Sequence, residues 1–119
     1  MGNYSVDVSY DAASGWVFNP PTVNAVKGSD NISFNPNPRD APWNFSGFSI
    51  WPASASKPNS KGSVCNPFDS PPPVINNNLI MLTDNNNATS DQVFQYQIWI
   101  RLGNGTEATS DPQIINKGG

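Results

Sequence analysis

Gln92-Val93-Phe94-Gln95-Tyr96-Gln97-Ile98-Trp99-Ile100-Arg101-Leu102 is the stretch that decides the fold. Phe94, Tyr96, Ile98, Ile100 and Leu102 share one side of an extended chain, and Gln95, Gln97, Trp99 and Arg101 share the other. Side chains of a strand point alternately to opposite faces, so this period of two predicts a strand with one dry face. Gly103-Asn104-Gly105 follows and predicts a hairpin turn, after which residues 106–109 return along the strand. Asp111-Pro112 breaks that pairing, and residues 113–116 end the domain.

The same pattern recurs toward the N-terminus. Tyr4, Val6, Val8 and Tyr10 alternate with Ser5, Asp7 and Ser9, which predicts a second half-buried strand. Short extended pieces follow at 16–18, 22–26 and 30–34, separated by Pro20-Pro21 and by the turn at Lys27-Gly28. Residues 45–52 read as a strand, with Phe48 and Ile50 on one side and Ser49 and Trp51 on the other. Residues 53–73 are rich in Pro, Ser and Asn and predict a long loop, stiffened at Pro71-Pro72-Pro73. Leu79-Ile80-Met81-Leu82 reads as a buried strand and residues 84–91 as a polar loop. No stretch shows helical periodicity. About seven to eight short strands with Gly, Pro and Asn between them predict an all-β chain, a single antiparallel β-sandwich spanning 1–119.

Composition narrows the chemistry. The chain has 119 residues, no histidine and one cysteine, so triads, Cys-His pairs and imidazole metal sites are excluded. Its net charge is −3, and six dispersed Lys and Arg form no basic patch, so neither nucleic acid nor an anionic membrane is an expected partner. No run is long and apolar enough to span a bilayer. Met1-Gly2-Asn3-Tyr4 lacks the basic start of a signal peptide, and Val6 departs from the Ser or Thr of a myristoylation signal. With Cys65 unpaired, cytoplasmic surroundings fit best. The Asn-x-Ser/Thr triplets at Asn3, Asn31, Asn44, Asn87 and Asn104 are expected by chance in an Asn-rich chain.

Two resemblances extend this reading. The run from Trp16-Val17-Phe18-Asn19-Pro20 through Val23-Asn24-Ala25-Val26-Lys27-Gly28-Ser29-Asp30-Asn31-Ile32-Ser33-Phe34 resembles the first half of a cupredoxin-like or immunoglobulin-like sandwich. Such kinship would be of fold alone, because a copper site needs imidazoles that this chain lacks. Tyr96-Gln97-Ile98-Trp99-Ile100-Arg101 with Thr109-Ser110-Asp111-Pro112-Gln113-Ile114-Ile115-Asn116 resembles the ending of the DP-EP family of small bacterial proteins. It is also similar to the ending of bacterial inclusion-body proteins of the AidA and PixA type. The DP-EP resemblance implies no established activity.

The candidate site residues follow from parity. Trp51 and Trp99 fall on the polar sides of their strands and, with Gln97 and Arg101, are expected to form a partner or ligand surface. The competing reading is that the 53–73 loop folds over them. Trp16 and Trp43 sit by turns and are expected to pack. Asp84, Asn86 and Asp91 form a calcium candidate by composition, although the 84–91 spacing lacks the Gly and Glu of an EF-hand loop. Asp111 is expected to cap a turn, and Cys65 to act as a small apolar residue. The nine carboxylates are dispersed and only one is Glu, so nothing in the pattern promotes a glycosidase pair. The expected function is a non-enzymatic structural or protein-interaction module without a cofactor, with self-association as one mode. A carbohydrate-binding module built on the tryptophans is the alternative, and a carboxylate hydrolase the third reading.

Overall fold

The computed structural model describes residues 2–58, 61–69, 71–76, 78–110 and 112–118. Among the described residues ten strands run in the order β1 (Asn3–Asp11), β2 (Gly15–Asn19), β3 (Thr22–Ala25), β4 (Gly28–Pro36), β5 (Trp43–Pro52), β6 (Val74–Asn76), β7 (Leu79–Asn86), β8 (Gln92–Leu102), β9 (Glu107–Ser110) and β10 (Gln113–Asn116). They form two packed sheets. One has the order β2-β1-β4-β7-β6; the other is β3-β10-β8-β5, with β9 also pairing β8. The all-β sandwich read from alternation is the fold.

Its pairing departs from the antiparallel expectation at two places. β1 runs parallel to β4, with Tyr4 opposite Ile32, and β3 runs parallel to β10, with Val23 opposite Ile114. Both sheets are therefore mixed. Alternation fixes which face of a strand is dry but not the direction of its neighbour.

The β8 register explains the closing half of the chain. Ile98 pairs Ser110 and Gln95 pairs Gln113, which is one continuous register. The Tyr96 N–H donates to the Pro112 carbonyl at 3.0 Å, so the ladder with β8 persists beside the break predicted at Asp111-Pro112. Met1 and Asp111 themselves lie outside the described residues. The hairpin turn at 103–105 forms as read: Gly105 sits at φ 88°, where a Cβ would be strained, and its N–H bonds Leu102 O at 2.9 Å.

The core lies between the sheets around Tyr96. Its ring packs 5.0 Å from Phe34 of β4, 5.6 Å from Phe48 of β5 and 6.3 Å from Phe18 of β2. Burying each such ring contributes about 2–3 kcal/mol, and well-oriented aromatic pairs add about 0.5–1.5 kcal/mol. The inward parities of β1 and β8 are those the sequence predicts, with Val6, Val8, Phe94, Tyr96, Ile98 and Ile100 all buried.

Two local readings are corrected and one strand, β6, is added. β6 follows Pro71-Pro72-Pro73 and carries no periodic signal in its three residues. β7 continues to Asn86, so Asp84 and Asn86 belong to a strand rather than a loop. β7 is also not dry on both faces, because Met81 is 46% exposed.

Candidate functional site

Three places in this fold gather chemistry. The outer face of the β5–β8–β9 sheet is the first. A β-bulge between Phe45 and Gly47 inserts Ser46 as an extra residue in β5. The Ser46 hydroxyl donates to Glu107 Oε2 at 2.7 Å. The same oxygen takes an ion pair from Lys61, on the 53–73 loop, and one from Arg101 at 3.4 Å. Lys61 Nζ also stands 6.0 Å from the Trp99 ring centroid. Gly47 makes room for this: a Cβ there would meet Lys61 Cδ at 2.8 Å and the Trp99 ring at 3.1 Å. Bonds from Lys61 and Ser46 hold the Glu107 carboxyl below its ordinary value.

Of the four residues expected on this surface, Trp99 and Arg101 do come together, joined by Lys61 and Glu107. Trp51 and Gln97 do not join an open platform, since they are only 5% and 6% exposed. The physical reason is the loop. Gly62 N–H donates to Phe48 O at 3.0 Å, and Ile50 N–H donates to Ser63 O at 2.9 Å, so residues 62–63 run along the free edge of β5. The long loop thus serves as cover for β5. Glu107 was legible in principle, because the hairpin turn fixes Arg101 opposite it. Lys61 was not, because nothing local places a loop residue over a strand.

This arrangement has a pH signature. A carboxyl with a lowered pKa keeps its partners at pH 4.5 and loses them only as the pH falls further. Tryptophan fluorescence is therefore expected to change in a step below pH 4.5 as Lys61 is released from Trp99. Glu107→Gln should lack that step; an identical step in the variant would show that Glu107 does not hold Lys61.

The second place is the end of the sandwich where the calcium candidate was expected. Asp84, Asn86 and Asp91 each spend their side chains on other partners. Asp91 is exposed and takes bonds from Lys117 Nζ at 3.0 Å and Gly118 N–H at 2.9 Å, which lower its pKa. Asn86 is buried and spends its amide on the backbone, donating to Ala25 O at 3.1 Å, Val26 O at 3.0 Å and Lys117 O at 3.1 Å. Asp84 faces inward, directly across the ladder from Asp30. Asn116 Nδ2, from the opposite sheet, donates to Asp84 Oδ1 at 3.0 Å. Burial pushes the Asp84 carboxyl up to about 6, the Asn116 bond opposes this, and the Asp30 charge adds to it. Burial also raises Asp30, against a bond from Gly2 N–H. The two carboxyls converge, yet at 1% and 0% exposure they are closed to a substrate.

The third place is the β6 edge of the first sheet. Val74 and Ile75 are 52% and 39% exposed, and Val74 pairs Met81 on β7. Between β6 and the 53–73 loop lies an open cleft of about 290 Å³, lined in part by Phe48, Val64, Pro72, Pro73 and Ile75.

Cys65 packs against the core as expected. Burial, with Asp69 nearby, pushes its thiol up to about 11, so it stays protonated at neutral pH. Among the described residues no group of three His, Cys, Asp or Glu side chains could hold a metal, and no helix is long and apolar enough to cross a membrane. No protein-family model matches the chain, and no curated protein matches its sequence.

Proposed function

We propose that this protein is a non-enzymatic interaction module that self-associates through its β6 edge. The observation that carries the reading is the edge itself. β6 ends its sheet, its three residues are all exposed, and two of them are large and apolar. Edge strands offer unpaired backbone groups to another chain, and proteins usually guard them with charge or bulges. Val74-Ile75-Asn76 carries no charge, and Met81 extends the apolar surface onto β7. A second copy pairing there would continue the five-stranded sheet across a two-fold axis. The reading includes the kinship with DP-EP-type bacterial proteins, carried by the sequence resemblance of the C-terminal stretch, and an immunoglobulin-like or cupredoxin-like outline, supported only as far as two packed sheets go.

The sugar-platform alternative has less behind it. A stacking platform needs open, coplanar rings, whereas Trp51 is buried and Lys61 stands over Trp99. The test is light scattering with Val74→Lys, a change at an exposed position that leaves the core alone. Wild type is expected to dimerise, and the variant to dissociate at least about tenfold more readily, in line with a like-charge clash across an interface. A wild-type chain that stays monomeric at every concentration would end the self-association reading.

A further inference from the structure

The buried end of the β4–β7 ladder brings two carboxyls together. Register places Asp30 and Asp84 directly opposite each other, on the inward parity of Ile32 and Leu82. Like charges in that position repel, and a buried ion costs several kcal/mol unless compensated. Among the described residues no Lys or Arg forms an ion pair with either; burial raises the Asp30 carboxyl against the lowering effect of the positive charge of the N-terminus, and no such charge acts on Asp84. Each carboxylate has one oxygen anchored: Asp30 Oδ1 by Gly2 N–H at 2.6 Å, and Asp84 Oδ1 by Asn116 Nδ2 at 3.0 Å. The other oxygen of each, and Asn116 Oδ1 as well, is buried without a partner.

The third of these is the telling one. Asn116 comes from the opposite sheet, is fully buried, and is neutral, so charge repulsion does not account for its orphaned oxygen. Its Nδ2 is the atom bonded to the Asp84 carboxyl, so the oxygen itself stays unmet. A single proton shared by the two carboxyls would pair their free oxygens and still leave the amide oxygen unmet. A hard cation lying between them would satisfy all three and cancel both charges.

We propose that Asp30, Asp84 and Asn116 form a binding site for a hard divalent cation of the calcium class. All three ligands are oxygens, which calcium prefers. Gly2 N–H and the Asn116 amide orient the two carboxylates, as outer partners do in metal sites. The ion would tie β4 and β7 of one sheet to β10 of the other. This site is distinct from the 84–91 composition: it keeps Asp84 but draws Asp30 and Asn116 from elsewhere in the chain.

The experiment is calcium titration of chelator-treated protein, read by calorimetry, by thermal melting and by terbium luminescence. Free calcium at a hundred times its Kd is expected to raise Tm by on the order of 10 °C. Asp84→Asn and Asp30→Asn should each weaken calcium binding at least about tenfold while still folding without the ion, and Asp91→Asn should leave binding unchanged. Two results would overturn the site. One is a wild-type chain whose melting and terbium signal ignore the ions; a Tm gain in Asp84→Asn would then assign the orphaned oxygens to a proton or a water. The other is calcium binding that survives both substitutions, which places the ion elsewhere.

Discussion

Phe68→Ala is expected to destabilise the protein by about 3–5 kcal/mol, the range for losing a fully buried phenylalanine. The residue lies in the long Pro-rich loop, yet its side chain has no exposed surface. Its ring meets Phe94 of β8 edge-to-face, with centroids 4.9 Å apart and planes at 83°. Backbone bonds fix the same segment: Phe68 N–H donates to Cys65 O at 2.7 Å, and Asn85 N–H to Pro67 O at 3.1 Å. Phe68 is thus the plug by which the loop is seated on the core. Removing it should do two things at once. The cavity lowers the denaturation midpoint, and the unseated loop becomes open to protease near 61–69. Phe68→Leu, which refills part of the volume, should recover at least half of the loss. A cost below about 1 kcal/mol would mean that the loop is held by its backbone bonds and the ring is incidental.

That loop shows where sequence reading stops. The strands at β1, β8 and β9 were legible because each is long enough, or closely enough tied to a turn, for its extended run to stand out. β6 was not, since three residues after three prolines contain no period. The end of β7 was misread for a different reason. Asp and Asn are strong turn formers, so Asp84-Asn85-Asn86 reads as loop until the partners of the inward pair are known. Those partners are remote: Asp84 meets Asn116, and Asn86 meets the carbonyls of Ala25, Val26 and Lys117. Trp51 failed by the same logic. Its parity was read correctly as outward from the core, but parity says nothing about a loop that returns along the strand. The candidate surface was therefore half legible. Trp99 and Arg101 follow from the strand, whereas Lys61 and the buried carboxyl pair depend on contacts between distant segments.

Asn86→Ala should cost about 2–4 kcal/mol, a large effect for a residue whose type suggests a solvent loop. One amide group here replaces a whole set of strand-end bonds. Its Nδ2 donates to three carbonyls, at the ends of β3 and β10, while its Oδ1 accepts from Ala88 N–H at 3.0 Å. An amide has two hydrogens, so the three acceptors share them. Alanine leaves several buried groups unpaired at about 1–3 kcal/mol each, offset where water can reach the exposed Val26. The loss is local as well as global. Lys117 N–H bonds Ala25 O at 2.9 Å beside this clip, and its hydrogen exchange should accelerate more than that of the β8 core. Asn86→Asp separates the amide from mere side-chain volume. The carboxylate keeps the shape and the acceptor to Ala88 but turns an oxygen toward three carbonyls, so it should destabilise at least as much as alanine at neutral pH and less once protonated in acid. If Asn86→Asp is tolerated at neutral pH, the amide is not the donor that ties the two sheets together at this end.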